Sequence, residues 1–336
     1  MEIRHKMRSG KELLIASSQY AHEVRWRSWL HLWSALCLLA ALVTLSCLQL
    51  PWFVCIPVSV VTGLVMVRLF IVYHDYLHGA VLQRSRIASV IMHLYGLLLL
   101  SPPSIWKHAH DDHHKNNAKK LGSTLGTYPV MTRQDYASAS FGEKLNYVVQ
   151  RHPITMALGY VTIFLWELCL RSFLVNPKKH FDGLLAPLLH VSACIALYTI
   201  SWQAMLLGMI VPMAIASSLG CYLFYAQHNF PKVKRRHDEA WDYVYAALHS
   251  SSYMKMSPLM SWFTGNIGYH HVHHLNARIP FYRLPEAMAG IEELQCPTYT
   301  TLRPADIWTC LQLNLWDSEA DRFMSYREAA QFAESA

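Results

Sequence analysis

The sequence predicts an all-α integral membrane protein, with four transmembrane helices in two hairpins and a cytoplasmic helical cap. Three observations lead there. Two long runs, Ser28–Val67 and Gly183–Asn229, contain no Asp, Glu, Lys or Arg. Each run is split once by a turn-like break. Basic residues flank only the outer ends of the runs. The 336-residue chain is 53% apolar and 15% charged, against roughly 25% charged for an ordinary soluble domain. Its mean hydropathy is +0.16. Disorder, a coiled coil and a typical cytosolic enzyme are all disfavoured.

The first run has 40 residues, enough for two spans of about 20. Leu50-Pro51-Trp52 divides it into 29–50 and 53–73. It runs straight into a second span, so a removable signal peptide is not expected. The second run breaks near Trp202-Gln203, giving 184–202 and 204–226. Residues 87–101 are too short to cross, and 153–175 carry Glu167 and Arg171. Both are expected to lie along the interface.

Arg4, Lys6, Arg8, Lys11, Arg25 and Arg27 precede the first hairpin. Lys178 and Lys179 precede the second, and Lys232, Lys234, Arg235 and Arg236 follow it. The tight turns carry no basic residue, so both termini and the cap (74–180 and 227–336) are expected in the cytoplasm. A net charge of +7 suits that membrane face better than a nucleic-acid surface. No repeat divides the chain, so 1–336 reads as a single domain, with a helical stretch near 304–334. The eight cysteines include no CxxC pair and read as buried, reduced thiols.

The chain has 20 histidines, and many are clustered. His74 and His78 form HxxxH directly after the second span. On a continuing helix they share a face, about 5–6 Å apart at Cβ. His110, His113 and His114 form HxxHH, and His270, His273 and His274 repeat it. His228 stands alone just after the last span. His108 and His271 fall off these faces and read as polar neighbours. His31, His93 and His190 lie in apolar stretches and read as hydrogen-bonded or interface-facing core histidines.

Orientation from the lysines and arginines puts all four groups on one side of the membrane, so nine imidazoles can meet there. Nine ligands fit two metal ions and leave open positions. A structural zinc site is closed by four ligands, commonly with Cys. Neutral imidazole suits Fe, Cu, Ni or Zn, and ligand type alone does not choose among them. The soluble di-iron pattern Glu-x-x-His occurs only at Glu2–His5. HExxH, GxSxG, GxGxxG and Walker A motifs are absent. A metal carrier would place ionisable groups inside the spans, and these spans are nearly free of them.

In order and spacing, these boxes resemble the integral-membrane fatty acid desaturases, most closely the bacterial acyl-lipid type. Three further stretches carry the likeness: Phe224-Tyr225-Ala226-Gln227-His228-Asn229-Phe230, then Trp262-Phe263-Thr264-Gly265-Asn266-Ile267-Gly268-Tyr269-His270-His271-Val272-His273-His274-Leu275, and Ile279-Pro280-Phe281-Tyr282-Arg283-Leu284. Two acidic residues in the second box, and His108 and His271, depart from the pattern. The resemblance implies a cap carrying two iron ions on His74, His78, His110, His113, His114, His228, His270, His273 and His274, with O2 as co-substrate. It also implies a long-chain acyl lipid or acyl thioester substrate in a bacterial inner membrane.

Unactivated C–H chemistry needs a redox metal, which zinc is not. Asp75, Asp111 and Asp112 read either as acceptors that orient ligand rings or as solvated carboxylates. Asn266, one helical turn before His270, is a candidate to orient a metal-bound water, and Trp106 to wall the site. The acyl chain is expected to enter between the hairpins, past 64–73, 87–101 and 215–225. The chain lacks a rubredoxin, iron–sulfur or haem motif of its own, so a ferredoxin or cytochrome b5-like donor is expected. Lys232–Arg236 and Lys119-Lys120 could dock an acidic donor or anionic lipid. The main alternative is a histidine-box alkyl hydroxylase or another oxidative enzyme acting on acyl chains, and the alternative from a different class is a membrane metal carrier.

Overall fold

The computed structural model describes residues 8, 10–48, 50–119, 127–236 and 238–335. Glu2, Arg4, His5, Lys6 and Lys120, named above, lie outside them. Four helices are long and apolar enough to cross a membrane: Arg25–Cys47, Trp52–His78, Asp182–Ile200 and Trp202–Ala226. They form two adjacent pairs, as the uncharged runs predict. Two boundaries differ. The first span begins at Arg25, because arginines can run their stems along apolar surface and keep their heads in water. The second break is at Ser201, whose side chain accepts from the Ala204 amide and caps the helix that follows.

The second and fourth spans are the inner pair, 56% and 44% buried, while the first and third are 17% and 22% buried. Gly63 permits the inner contact. A Cβ there would meet the Pro212 carbonyl at 2.8 Å and Ile215 Cβ at 2.9 Å. The second span has 27 residues. At about 1.5 Å per residue it runs about 40 Å, some 10 Å beyond a ~30 Å hydrocarbon core. The helix is thus longer than a single crossing needs, and its last turns bear His74 and His78. Gly79, at φ 76°, stops the helix in the left-handed region, which glycine adopts without a Cβ penalty.

Arg86–Leu98 is a short helix with exposed Ile87, Val90 and Leu94. It turns 90° into Pro103–Asn116 and so delivers the second histidine box to the end of the bundle. Residues 153–175 are helical almost throughout, with a π-helical stretch at Tyr160–Arg171. They expose Ile154, Leu158, Val161 and Trp166, and Arg171 pairs with Glu167 at 2.6 Å.

Two small strand pairs decorate the helices: Tyr253–Lys255 parallel to Tyr299–Thr301, and Leu315–Asp317 antiparallel to Arg322–Met324. The second pair interrupts the helix expected near 304–334, leaving Pro304–Gln312 and Tyr326–Ser335. Asp317 Oδ1 accepts the amides of Glu319 and Ala320, a side-chain turn that competes with helix. All eight cysteines are free thiols; five are buried, and Cys37 and Cys296 are exposed.

Candidate metal centre

Four pieces of backbone carry the nine rings. The overrunning second span supplies His74 and His78, and Pro103–Asn116 supplies His110, His113 and His114. His228 follows the last span by two residues, after its cap at Gln227. The third box sits on a helix of only six residues, His270–Leu275, completely buried. The rings assemble as two groups, His74, His78, His110, His114 and His273 in one and His113, His228, His270 and His274 in the other. Within each group the ligand atoms lie within 4.8 Å of one another.

Nε2 atoms converge in each group. In the first, His74–His110, His110–His114 and His114–His273 are 3.0, 3.1 and 3.0 Å apart. In the second, His113–His228, His228–His270 and His270–His274 are 3.0, 2.9 and 3.1 Å apart. Asp75 Oδ1 accepts the Nδ1 proton of His74 at 2.9 Å, and the Ser250 carbonyl accepts that of His228 at 3.1 Å. These two rings, when neutral, therefore turn bare Nε2 lone pairs inward. Imidazole nitrogens gathered this closely form a donor set that fits divalent iron. His78 Nε2 and the Nδ1 atoms of His113, His114, His270 and His273 are buried without a protein partner.

Burial, reinforced by neighbouring rings, holds His110, His113, His114, His270, His273 and His274 well below the usual imidazole range. Burial also brings His228 down to about 4. Neutral imidazole is the ligating form, so these rings can bind metal at neutral pH.

The other candidates separate. Trp106 stacks on His110 at 4.3 Å between ring centres. Asp75 does double duty, since its Oδ2 accepts the Phe281 amide at 2.6 Å. Asp111 is 3.9 Å from His78 Nδ1 and accepts from Lys107 at 2.7 Å instead. Asp112 accepts from the Asn116 amide group. Asn266 does not sit on the helix of the third box. Its φ is 54°, Tyr269 caps that helix, and its Nδ2 donates to the Phe281 carbonyl.

His108 is exposed. His271 is buried and points away, its Nε2 donating to the Leu294 carbonyl. His31 contacts Arg68, and the buried His190 bridges Tyr160 and Leu98. His93 is exposed, not in the core, and donates to the Ser89 carbonyl one turn back. The acceptor role of the Ser250 carbonyl had no signal in the sequence, because any residue can offer a carbonyl.

A cleft of about 480 Å³ opens onto His78 and His114, rimmed by Lys107, Asp111, Lys115 and Arg278. None of the apolar stretches expected to guide an acyl chain lines it. On the opposite flank, a cavity of about 50 Å³ reaches His113 and His228 and includes Phe224 and Tyr225 from the expected liners.

Fold and ring cluster together define a membrane-associated oxidoreductase with histidine-box, di-iron-like coordination. The fatty acid desaturase family profile matches residues 50–304, and the chain belongs to that family. A fatty acid desaturase of Bacillus subtilis is 34% identical over 284 residues, covering 83% of this chain and 80% of that protein. An sn-1 oleoyl-lipid 12-desaturase of Picosynechococcus is 23% identical over 283 residues, with 78% and 76% covered. An sn-1 acyl-lipid omega-3 desaturase (ferredoxin) of Nostoc is 24% identical over 271 residues, with 76% and 71% covered.

Proposed function

We propose that residues 1–336 form one acyl-lipid desaturase domain that creates a double bond in a long acyl chain. The balance is one hydrogen from each of two adjacent methylenes, O2, two external electrons and two protons, giving an alkene and two waters. The observation that carries this reading is the division of nine histidines, seven of them buried and His78 and His228 partly so, into a group of five and a group of four with clustered ring nitrogens. His74, His78, His110, His114 and His273 would hold one iron ion, and His113, His228, His270 and His274 the other. Two bound iron ions supply the O2-activating redox chemistry that no side chain here can perform.

The chain's own residues orient and enclose. Asp75 fixes the His74 tautomer and ring angle, as an outer partner of a metal ligand does. Trp106 covers His110, and Phe224 packs on His113 at 4.9 Å. They wall the rings from water on the side facing the spans. Basic residues at the outer ends of the hairpins support a cytoplasmic site in a bacterial inner membrane. The named use of ferredoxin by the Nostoc relative supports an acidic one-electron donor. In the basic stretch proposed to meet it, Lys234 pairs with Asp321 at 2.8 Å, and Arg236 lies 3.6 Å over the Tyr245 ring.

The test is expression in a host lacking the enzyme, followed by fatty-acid mass spectrometry. A product lighter by two hydrogens, erased by His113→Ala, is expected. A product heavier by one oxygen would assign hydroxylation instead.

A further inference from the structure

Behind the second ring group lies the smaller cavity, and its walls are unusual in charge. Arg151 and Arg235 both line it, together with His113, His228 and Asn117. Arg151 is 2% exposed. Its Nη atoms are occupied, donating to the carbonyls of Pro129 and Leu313, to Tyr225 Oη and to Asn229 Oδ1. Each of these acceptors is neutral. Arg235 is half-buried and rests 5.8 Å from the Trp316 ring centre. Its Nε is buried with no acceptor, and so is the Nδ1 of His113. Among the described side chains, no carboxylate pairs with either guanidinium.

A buried cation without a counter-charge is costly, and a second beside it adds repulsion. Burial and the Arg151 charge together push the Arg235 guanidinium down to about 10. A buried donor left without a partner calls for a water or an ion. The cavity volume of about 50 Å³ exceeds the roughly 10–15 Å³ that one water needs. A guanidinium fork matches an oxyanion better than a spherical ion.

We propose that this cavity is a binding site for one phosphate-class oxyanion, held by Arg235 and the His113 Nδ1–H in the positive field of Arg151. The anion would be a free ion or the phosphodiester of a lipid head group. The His113 contact rests on the proposed metal site, since its Nδ1 carries the proton when Nε2 is a ligand, whereas the Arg235 contact does not, and the test needs no turnover.

The full-length protein in detergent, washed free of bound lipid, is dialysed against radiolabelled inorganic phosphate at fixed ionic strength. About one saturable equivalent per chain is expected, with a rise of a few degrees in Tm as phosphate replaces chloride. Arg235→Gln should abolish both effects, and Arg235→Lys should retain weakened binding. Should Arg235→Gln fail to fold, the wild-type stoichiometry and the lysine variant decide. Displacement of the label by short-chain phosphatidylglycerol, but not by the zwitterionic phosphatidylcholine, assigns the site to a lipid head group. Retention of the label assigns it to the free ion. No bound phosphate in the wild type, or equal binding in Arg235→Gln, overturns the proposal.

Discussion

Asp75 holds His74 from one side and the Phe281 amide from the other, at 2.9 and 2.6 Å. One carboxylate thus ties the first histidine box to the segment just beyond the third. Asp75→Asn removes the charged acceptor and frees the ring to adopt the other tautomer. Iron affinity or product yield should fall about 10–100-fold. Elemental analysis of iron per chain, with circular dichroism to establish intact helices, checks this. Unchanged iron and product would sink it.

The two off-face histidines offer a matched control. His108 is exposed, so His108→Ala should leave both iron and product at wild-type levels. His271→Ala strips a buried donor from the Leu294 carbonyl. It should cost about 1–3 kcal/mol of stability while iron per chain stays constant. Loss of iron from the His108 variant would move that ring into the centre.

Gly63 sits where the inner spans touch. Gly63→Val places atoms within 3 Å of Pro212 and Ile215, so the spans must separate. Overpacking of this kind costs about 1–3 kcal/mol. A lower melting temperature by fluorescence-detected size exclusion should report it, and an unchanged one would contradict the close packing.

The Arg8 guanidinium donates twice to Glu293, at 2.9 and 2.6 Å, and its backbone amide once at 3.0 Å, and the side-chain pairing holds the Glu293 carboxyl down to about 2. An unfolded glutamate titrates near 4.3. The depressed folded value means the pair stabilises fully above about 4.3 and loses its effect as pH falls toward about 2. Acidification through that window should loosen the segment leading into Gly10–Ser18. Glu293→Gln should loosen it at neutral pH. Limited proteolysis with mass mapping of N-terminal cuts reads both, and identical cutting of wild type and variant at pH 7 would refute the role.

Much of this architecture was legible because lipid imposes blunt rules. A segment that crosses lipid must satisfy its own backbone, which favours helix, so Ser28–Val67 and Gly183–Asn229 each read as a helical pair, and four apolar helices of spanning length are found there. Periodicity likewise placed His110, His113 and His114 on one face. What escaped is decided by single backbone geometries or distant partners. Asn266 reads as helical by spacing, yet its left-handed φ of 54° turns it toward Phe281. The Leu315–Asp317 strand pairs with Arg322–Met324 across a four-residue turn, a hairpin that the helical reading of 304–334 passed over. Arg68, buried in the second span, donates to the Trp262 carbonyl and lies 4.0 Å over its ring. No pattern in either segment announces that pairing. The Arg151–Arg235 cavity is assembled from segments too far apart to read together.

His114 and His273, neighbours at 3.0 Å, are separated by 159 positions along the chain. A ribosome has therefore made and inserted all four spans before the last rings exist. Until the third box emerges, the first two boxes form an incomplete cradle, open to whatever divalent ion is nearby. Under the proposed function, iron loading would have to follow synthesis of the third box, and a chain truncated before His270 would carry all four apolar helices yet lack three of the nine rings, one of the first group and two of the second.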